Sequence, residues 1–218
     1  MPTSRILPLR NLGPTEPVPS LTFTHANPLE PEFAQEITPG ASLVAWAGWF
    51  DAEGDPASGR FPSDHRLWTT GLESLREATA RLDPILREHE ATLWLRPALG
   101  LVLSDPHSIA TMLKEPPSDR VRILVDPVAM LTPEMAKHAE DHLPRMLDKL
   151  GNFETCSAIV LAGAGPLSNE RMTHVPLDAD RAFDRHLLSV WRESAFAERE
   201  VFVLTEACRS LIGAAKIA

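Results

Sequence analysis

The chain has 218 residues, 44% of them hydrophobic and 23% charged, which is typical of a folded globular protein and not of a disordered one. The 30 acidic residues outnumber the 21 lysines and arginines, and the net charge of −9 argues against a general nucleic-acid binder, because phosphate binding needs a clustered positive face. The longest apolar stretches, 43–50 and 158–165, are far shorter than the ~18 residues of a membrane span. The two cysteines form no C-x-x-C pair, so we expect a cytoplasmic protein. Because no apolar stretch is long enough to span a membrane, we expect no membrane partner.

The first forty residues differ in composition from the rest. Prolines recur there too often for a long helix or a central strand. One short strand is predicted inside this region, over 21–24, and it ends at His25. We therefore predict a proline-rich N-terminal arm over 1–40 and a (β/α) barrel-like domain over 41–218.

From residue 41 onward, short apolar runs alternate with stretches of helical periodicity. The apolar runs predict strands over 42–49, 91–95, 121–125, 157–161 and 200–204. The periodic stretches predict five helices. The first begins at Ser63 or Asp64 and is kinked or ended by Pro84, and the second begins at Asp105 with Pro106 at its first position. The others run from Thr132 to Gly151, from Asp178 or Asp180 onward, and over 211–218.

This alternation predicts an α/β fold, because wholly apolar strands belong to parallel sheets that are covered on both faces. Two architectures remain, an open doubly wound sheet and a closed eight-stranded barrel. No G-x-G-x-x-G follows a strand, which weakens nucleotide binding, and the loop 163–166 leads into no obvious helix. Six predicted strands are fewer than the eight of a barrel, so the expected fold is TIM-barrel-like but incomplete in its N-terminal part.

Polar and aromatic side chains follow several of the predicted strands. In a barrel, the residues that carry function lie at the carboxyl ends of the strands and in the loops after them. The candidate catalytic residues at these positions are Glu206, His174 in the loop before a predicted helix, and His25. The candidate ligand-binding residues are Arg96, Asp126, Trp46 and Trp49.

Short motifs also occur in a characteristic order. They are Thr24-His-Ala-Asn27, Leu93-Trp-Leu-Arg-Pro-Ala-Leu-Gly100, Ser104-Asp-Pro-His-Ser-Ile-Ala-Thr-Met-Leu113, Val121-Arg-Ile-Leu-Val-Asp-Pro-Val-Ala129, His174-Val-Pro-Leu177 and Val203-Leu-Thr-Glu206. Over about residues 21–207 the chain resembles the xylose-isomerase-like TIM barrels, a family of sugar and sugar-phosphate isomerases and epimerases with endonuclease IV as a distant relative.

The resemblance implies a divalent ion held by a glutamate, an aspartate, a histidine and a final glutamate. Matched position by position, Asp126 and Glu206 survive in this chain. Arg96 stands in place of the first glutamate, and Leu161 or Ala162 stands in place of the ligand histidine. Ala129 and Trp46 each stand where the resemblance implies a further histidine.

A guanidinium beside two carboxylates makes a poor cation site, because Arg96 is always charged and presents only donors. We therefore hypothesise that Arg96 replaces the metal between Asp126 and Glu206, and we predict neither a bound metal nor another cofactor. The predicted function is binding of a small sugar-like ligand, or of a partner, without metal-dependent catalysis. The alternative is an active sugar or sugar-phosphate isomerase or epimerase that uses Mn²⁺ or Mg²⁺. Phosphodiester cleavage is least favoured, because most of its metal-binding histidines are missing.

Missing early strands would leave open sheet edges, which promote aggregation. There are three alternatives: the N-terminal arm folds over the gap, a second subunit covers it, or the barrel stays open. We favour a homodimer among them.

Overall fold

The computed structural model describes residues 4–6, 21–50, 53–54, 61–116, 118–168, 171–205, 207–208 and 211–212. The chain packs as two units, an N-terminal unit of Arg10–Leu124 and a C-terminal unit of Val125–Ala218 together with Met1–Leu9. The predicted boundary between an arm over 1–40 and a domain over 41–218 stays a prediction.

Strands and helices alternate along most of the chain. The strands are β1 Ser4–Ile6, β2 Leu21–Phe23, β3 Ser42–Trp46, β4 Thr92–Arg96, β5 Val121–Val125, β6 Ala158–Leu161, β7 Gly163–Ser168, β8 Arg171–Val175 and β9 Glu200–Val203. The α-helices are α1 Arg66–Thr69, α2 Gly71–Glu88, α3 Pro106–Leu113, α4 Pro127–Met130, α5 Pro133–Lys137, α6 Ala139–Gly151 and α7 Ala182–Glu193, and 3₁₀ turns cover Pro31–Glu36 and Ala195–Glu198.

The sheet of the N-terminal unit is parallel. β2 pairs with β3, β3 with β4, and β4 with β5, with Leu43 beside Leu93 and Leu93 beside Val121. These apolar side chains are almost fully buried, which explains why the strands read as continuous runs of Leu, Ile and Val. The strands predicted over 42–49, 91–95 and 121–125 are confirmed, although β3 ends earlier, at Trp46.

Helix α2 buries one face. Leu75, Leu82 and Leu86 have helical spacing and no exposed surface. Burial of each side chain stabilises the folded state by about 1.5–3 kcal/mol. The helix continues through Pro84 to Glu88, so of the two predicted alternatives, a kink or an end at the proline, the end is excluded. Pro84 leaves one backbone carbonyl of the preceding turn without its donor, and an exposed helix face tolerates this loss because water replaces the donor.

Helix α3 begins as predicted. The carboxylate of Asp105 accepts hydrogen bonds from the backbone N–H groups of His107 and Ser108, and the Ser108 hydroxyl accepts one from the backbone N–H of Asp105. This reciprocal capping box, with Pro106 in the first turn, fixes where the helix starts.

The C-terminal unit has its own parallel strands. β9 pairs with β6 on one side and with β1 on the other. Helix α7 begins at Ala182, later than the predicted Asp178 or Asp180, and it buries Leu187 and Trp191. The indole N–H of Trp191 donates to the carbonyl of Phe196 over 3.0 Å, so the largest buried side chain of this unit is also hydrogen-bonded.

An antiparallel hairpin follows β6. β7 pairs with β8, with Gly163 opposite Val175 and Ala164 opposite His174. His174 therefore lies on a strand and not in a loop, and residues 163–166 are part of a strand too, which corrects both predictions. Glycine and proline are usually loop residues, but Gly165 is required here because a Cβ would come within 2.6 Å of Thr173 Oγ1.

Seven strands pair in parallel within the described ranges, one fewer than in a closed eight-stranded barrel. Among the described helices, none combines the length and apolar character needed to cross a bilayer. Of the helix predicted over 211–218, only 211–212 lie in the described part.

Candidate functional site

Asp126 directly follows β5 and caps helix α4. Its Oδ1 accepts a hydrogen bond from the backbone N–H of Ala129 over 3.1 Å, and Pro127 occupies the first helical position. The local sequence explains this arrangement, because an aspartate followed by proline is a common helix start. The carboxylate is therefore fixed by its own helix and is fully buried.

The same carboxylate binds His174. The Nε2 atom of His174 lies 2.8 Å from Oδ1 and 3.0 Å from Oδ2 of Asp126. Because an ionised carboxylate only accepts hydrogen bonds, Nε2 carries the proton and donates it. The His174 side chain is 19% exposed while that of Asp126 is buried, so the imidazole lies between the carboxylate and solvent.

This pair has a definite chemical capacity. When Nε2 donates to a carboxylate, the lone pair of the neutral imidazole lies on Nδ1, and the aspartate fixes both the tautomer and the ring orientation. A histidine held in this way can take up a proton from a bound hydroxyl or carbonyl compound or deliver one to it.

Arg96 lies at the end of β4, in the N-terminal unit, and is almost fully buried. Strand pairing places it beside Trp46 of β3, and its guanidinium carbon lies 4.5 Å from the centroid of the indole ring. The negatively charged face of an indole stabilises a cation at this distance. Two of the predicted ligand-binding residues therefore contact each other.

Trp46 and Trp49 also pack on Phe61. The ring centroids lie 5.3 Å and 5.2 Å from that of Phe61, and the two tryptophans are only 6% and 9% exposed. Asn27 fixes the backbone of Trp49, since its side-chain amide donates to the Trp49 carbonyl over 2.7 Å. The sequence analysis did not single out Phe61, although it is a large apolar residue within a stretch, 54–62, that is rich in glycine and proline.

The structure places the remaining predicted site residues as follows. His25 follows β2 and is exposed. Glu206 lies outside the described residues. Leu161 and Ala162, which stand where the resemblance implies a ligand histidine, are fully buried apolar residues.

No protein-family model and no curated protein matches the sequence. Among solved structures, a D-tagatose 3-epimerase-like protein superimposes with a TM-score of 0.54 and 11% identity over 91% of this chain and 79% of its own. Endonuclease IV from Thermus thermophilus superimposes with a TM-score of 0.52 and 14% identity over 80% of this chain. These similarities show that the chain has a TIM-barrel-like fold. This chain spans only 61% of the endonuclease IV chain, and identities this low establish the fold alone.

Proposed function

We propose that this chain of xylose-isomerase-like fold binds a small, polar, sugar-like ligand around Asp126 and His174, and that it does so without a divalent metal. The observation that carries the proposal is the set of hydrogen bonds that the Asp126 carboxylate accepts. Both of its oxygens accept hydrogen bonds from the imidazole of His174, and one accepts a further bond from a backbone N–H. Lone pairs that face N–H donors are poorly placed to coordinate a cation.

Two other positions at which the resemblance implies metal ligands also carry side chains that suit a cation poorly. Arg96 presents donors and no acceptor, so it cannot serve as a ligand. Leu161 and Ala162 carry no donor atoms on their side chains. Within the described part of the chain, no group of three or more His, Cys, Asp or Glu side chains is arranged to hold a metal ion. The donor set therefore supports ligand binding through hydrogen bonds, with Arg96 providing a fixed positive charge in its own unit.

A sugar-like ligand is favoured by the chemistry of the pair. A polyol offers hydroxyl groups that both donate and accept, which suits an imidazole whose tautomer is fixed by a carboxylate. The fold adds support, because the D-tagatose 3-epimerase-like protein is similar to most of this chain. Binding of a protein partner and formation of a homodimer remain predictions from the sequence.

The first test measures the metal content. The purified full chain, produced with added Mn²⁺ and dialysed, is analysed for bound metals by mass spectrometry. We expect a substoichiometric amount of every divalent metal. One tightly bound ion per chain would overturn the metal-free proposal.

The second test measures ligand binding by thermal unfolding with a panel of ketoses and sugar phosphates, each in EDTA and in Mn²⁺. A ligand at a hundredfold excess over its Kd stabilises the folded state by about 2.7 kcal/mol. We expect at least one panel member to raise the Tm equally in both conditions. His174→Gln should abolish this shift, whereas His138→Gln, a change at an exposed histidine, should retain it.

The second candidate function is a metal-dependent isomerase or epimerase. It is favoured by the survival of Asp126 at the position where the resemblance implies a metal ligand. This function would be established instead if turnover of a panel ketose required Mn²⁺ and was lost in EDTA.

A further inference from the structure

An ion pair with a buried carboxylate lies at the start of helix α7. Arg181 Nη2 lies 2.7 Å from Oδ2 of Asp184, and the Asp184 side chain has no exposed surface. The backbone N–H of Asp178 donates to the same oxygen over 2.8 Å. The carboxylate is therefore fixed from two sides.

This ion pair contacts the base of the β7–β8 hairpin. A Cβ added to Gly163, the first residue of β7, would lie 2.5 Å from Arg181 Nη2 and 2.6 Å from Asp184 Oδ2. Only glycine allows the strand to approach the pair so closely. The Arg181 guanidinium also donates to the carbonyl of Pro176, the residue after β8. Both strands of the hairpin are thus held at the same end.

His174 lies next to this anchor. Gly163 pairs with Val175 and Ala164 with His174, so the imidazole is one residue away from the position that the ion pair fixes. A two-stranded hairpin is only marginally stable by itself, so its position depends on what it packs against. The hydrogen bonds from His174 to Asp126 weaken steeply when distance or angle changes. We propose that Arg181 and Asp184 are positioning residues that fix the hairpin, and through it the imidazole of His174 against Asp126.

The cost of burying Asp184 supports this role. Its Oδ1 has no hydrogen-bond partner among the described residues, and burial raises the pKa of the carboxyl group. A buried polar atom without a partner destabilises a protein, so this carboxylate is a poor choice for stability alone. The role does not require that the proposed ligand binds, because it concerns the geometry of the free protein.

The experiment follows the imidazole N–H proton of His174 by NMR of the histidine-labelled full chain, without any ligand. A proton bonded to a buried carboxylate exchanges slowly with water, and His174→Gln assigns the signal by removing it. In Gly163→Ala and Asp184→Ala we expect exchange to become at least about tenfold faster, a loss of about 1.4 kcal/mol, or the signal to vanish.

The matched control is Asp141→Ala, which removes an exposed aspartate–arginine pair of the same unit, with Arg145 at 2.6 Å. This variant should keep the wild-type signal. If Gly163→Ala or Asp184→Ala does not fold, Arg181→Gln and Arg181→Lys decide the question, because the Arg181 side chain is partly exposed. Lysine should retain more of the signal than glutamine. An unchanged signal in the folded variants would overturn the positioning role, whatever the outcome of the ligand tests.

Discussion

The ends of β4 and β5 both carry a buried charge, and the two charges are held in different ways. Arg96 packs its planar guanidinium on the face of Trp46, where the quadrupole of the ring attracts a cation. Asp126 is held by N–H donors from His174 and from its own helix. Side chains at the open end of parallel strands commonly carry function. Here the cation stacks on an aromatic ring and the anion faces N–H groups.

The largest expected effect compares two capping aspartates. Asp126 and Asp105 both cap helices, but Asp126 also binds His174. Asp105→Ala should lower the free energy of unfolding by about 1 kcal/mol, the usual value of a cap. Asp126→Ala should lower it by about 3 kcal/mol, because a hydrogen bond to a charged group adds about 1.5–3 kcal/mol. Urea denaturation of both variants measures the difference.

A double-mutant cycle of Asp126→Ala with His174→Ala serves as the control for this comparison. A coupling energy near zero, or equal losses for the two caps, would contradict the conclusion that His174 holds the carboxylate.

The next effect concerns the stacked cation. Arg96→Lys retains the charge but removes the planar group, and it should destabilise the protein by about 1–2 kcal/mol because the contact is desolvated. Arg81→Lys is the matched control in the same unit, since Arg81 is exposed and contacts backbone carbonyls. Its effect should stay within about 0.5 kcal/mol. Equal losses in chemical denaturation would show that the indole contact contributes nothing.

The smallest effect is a dependence on pH at Asp184. Burial raises the pKa of this carboxyl above its ordinary value of 3.8, against the opposing effects of the Asp178 N–H and the Arg181 guanidinium. The folded state therefore binds the proton at a higher pH than the unfolded state does. As the pH falls from 7 towards 3.8, the wild type should gain stability relative to Asp184→Asn.

Unfolding free energies of the wild type and Asp184→Asn across that pH range test the sign. A wild type that instead loses stability relative to the variant would mean that Arg181 dominates over burial.

Local sequence patterns predicted much of the fold. The run Val121–Val125 is a strand, as expected of a short run rich in β-branched residues that is bounded by polar residues, and Asp105-Pro106 starts a helix because both residues favour that position. The hairpin β7–β8 was missed. Its Gly- and Pro-containing strand resembles a loop locally, and pairing with β8 is a contact between distant residues that periodicity does not report.

The alternation of strands and helices, and the positions of Arg96 and Asp126 at strand ends, follow from the local sequence, because apolar runs and helix caps act over a few neighbouring residues. The contact of Asp126 with His174, 48 positions further along the chain, and the stacking of Arg96 on Trp46 are established by tertiary packing. Such contacts depend on strand register and on the position of a hairpin. Both are set by packing across the whole fold, and no local pattern encodes them.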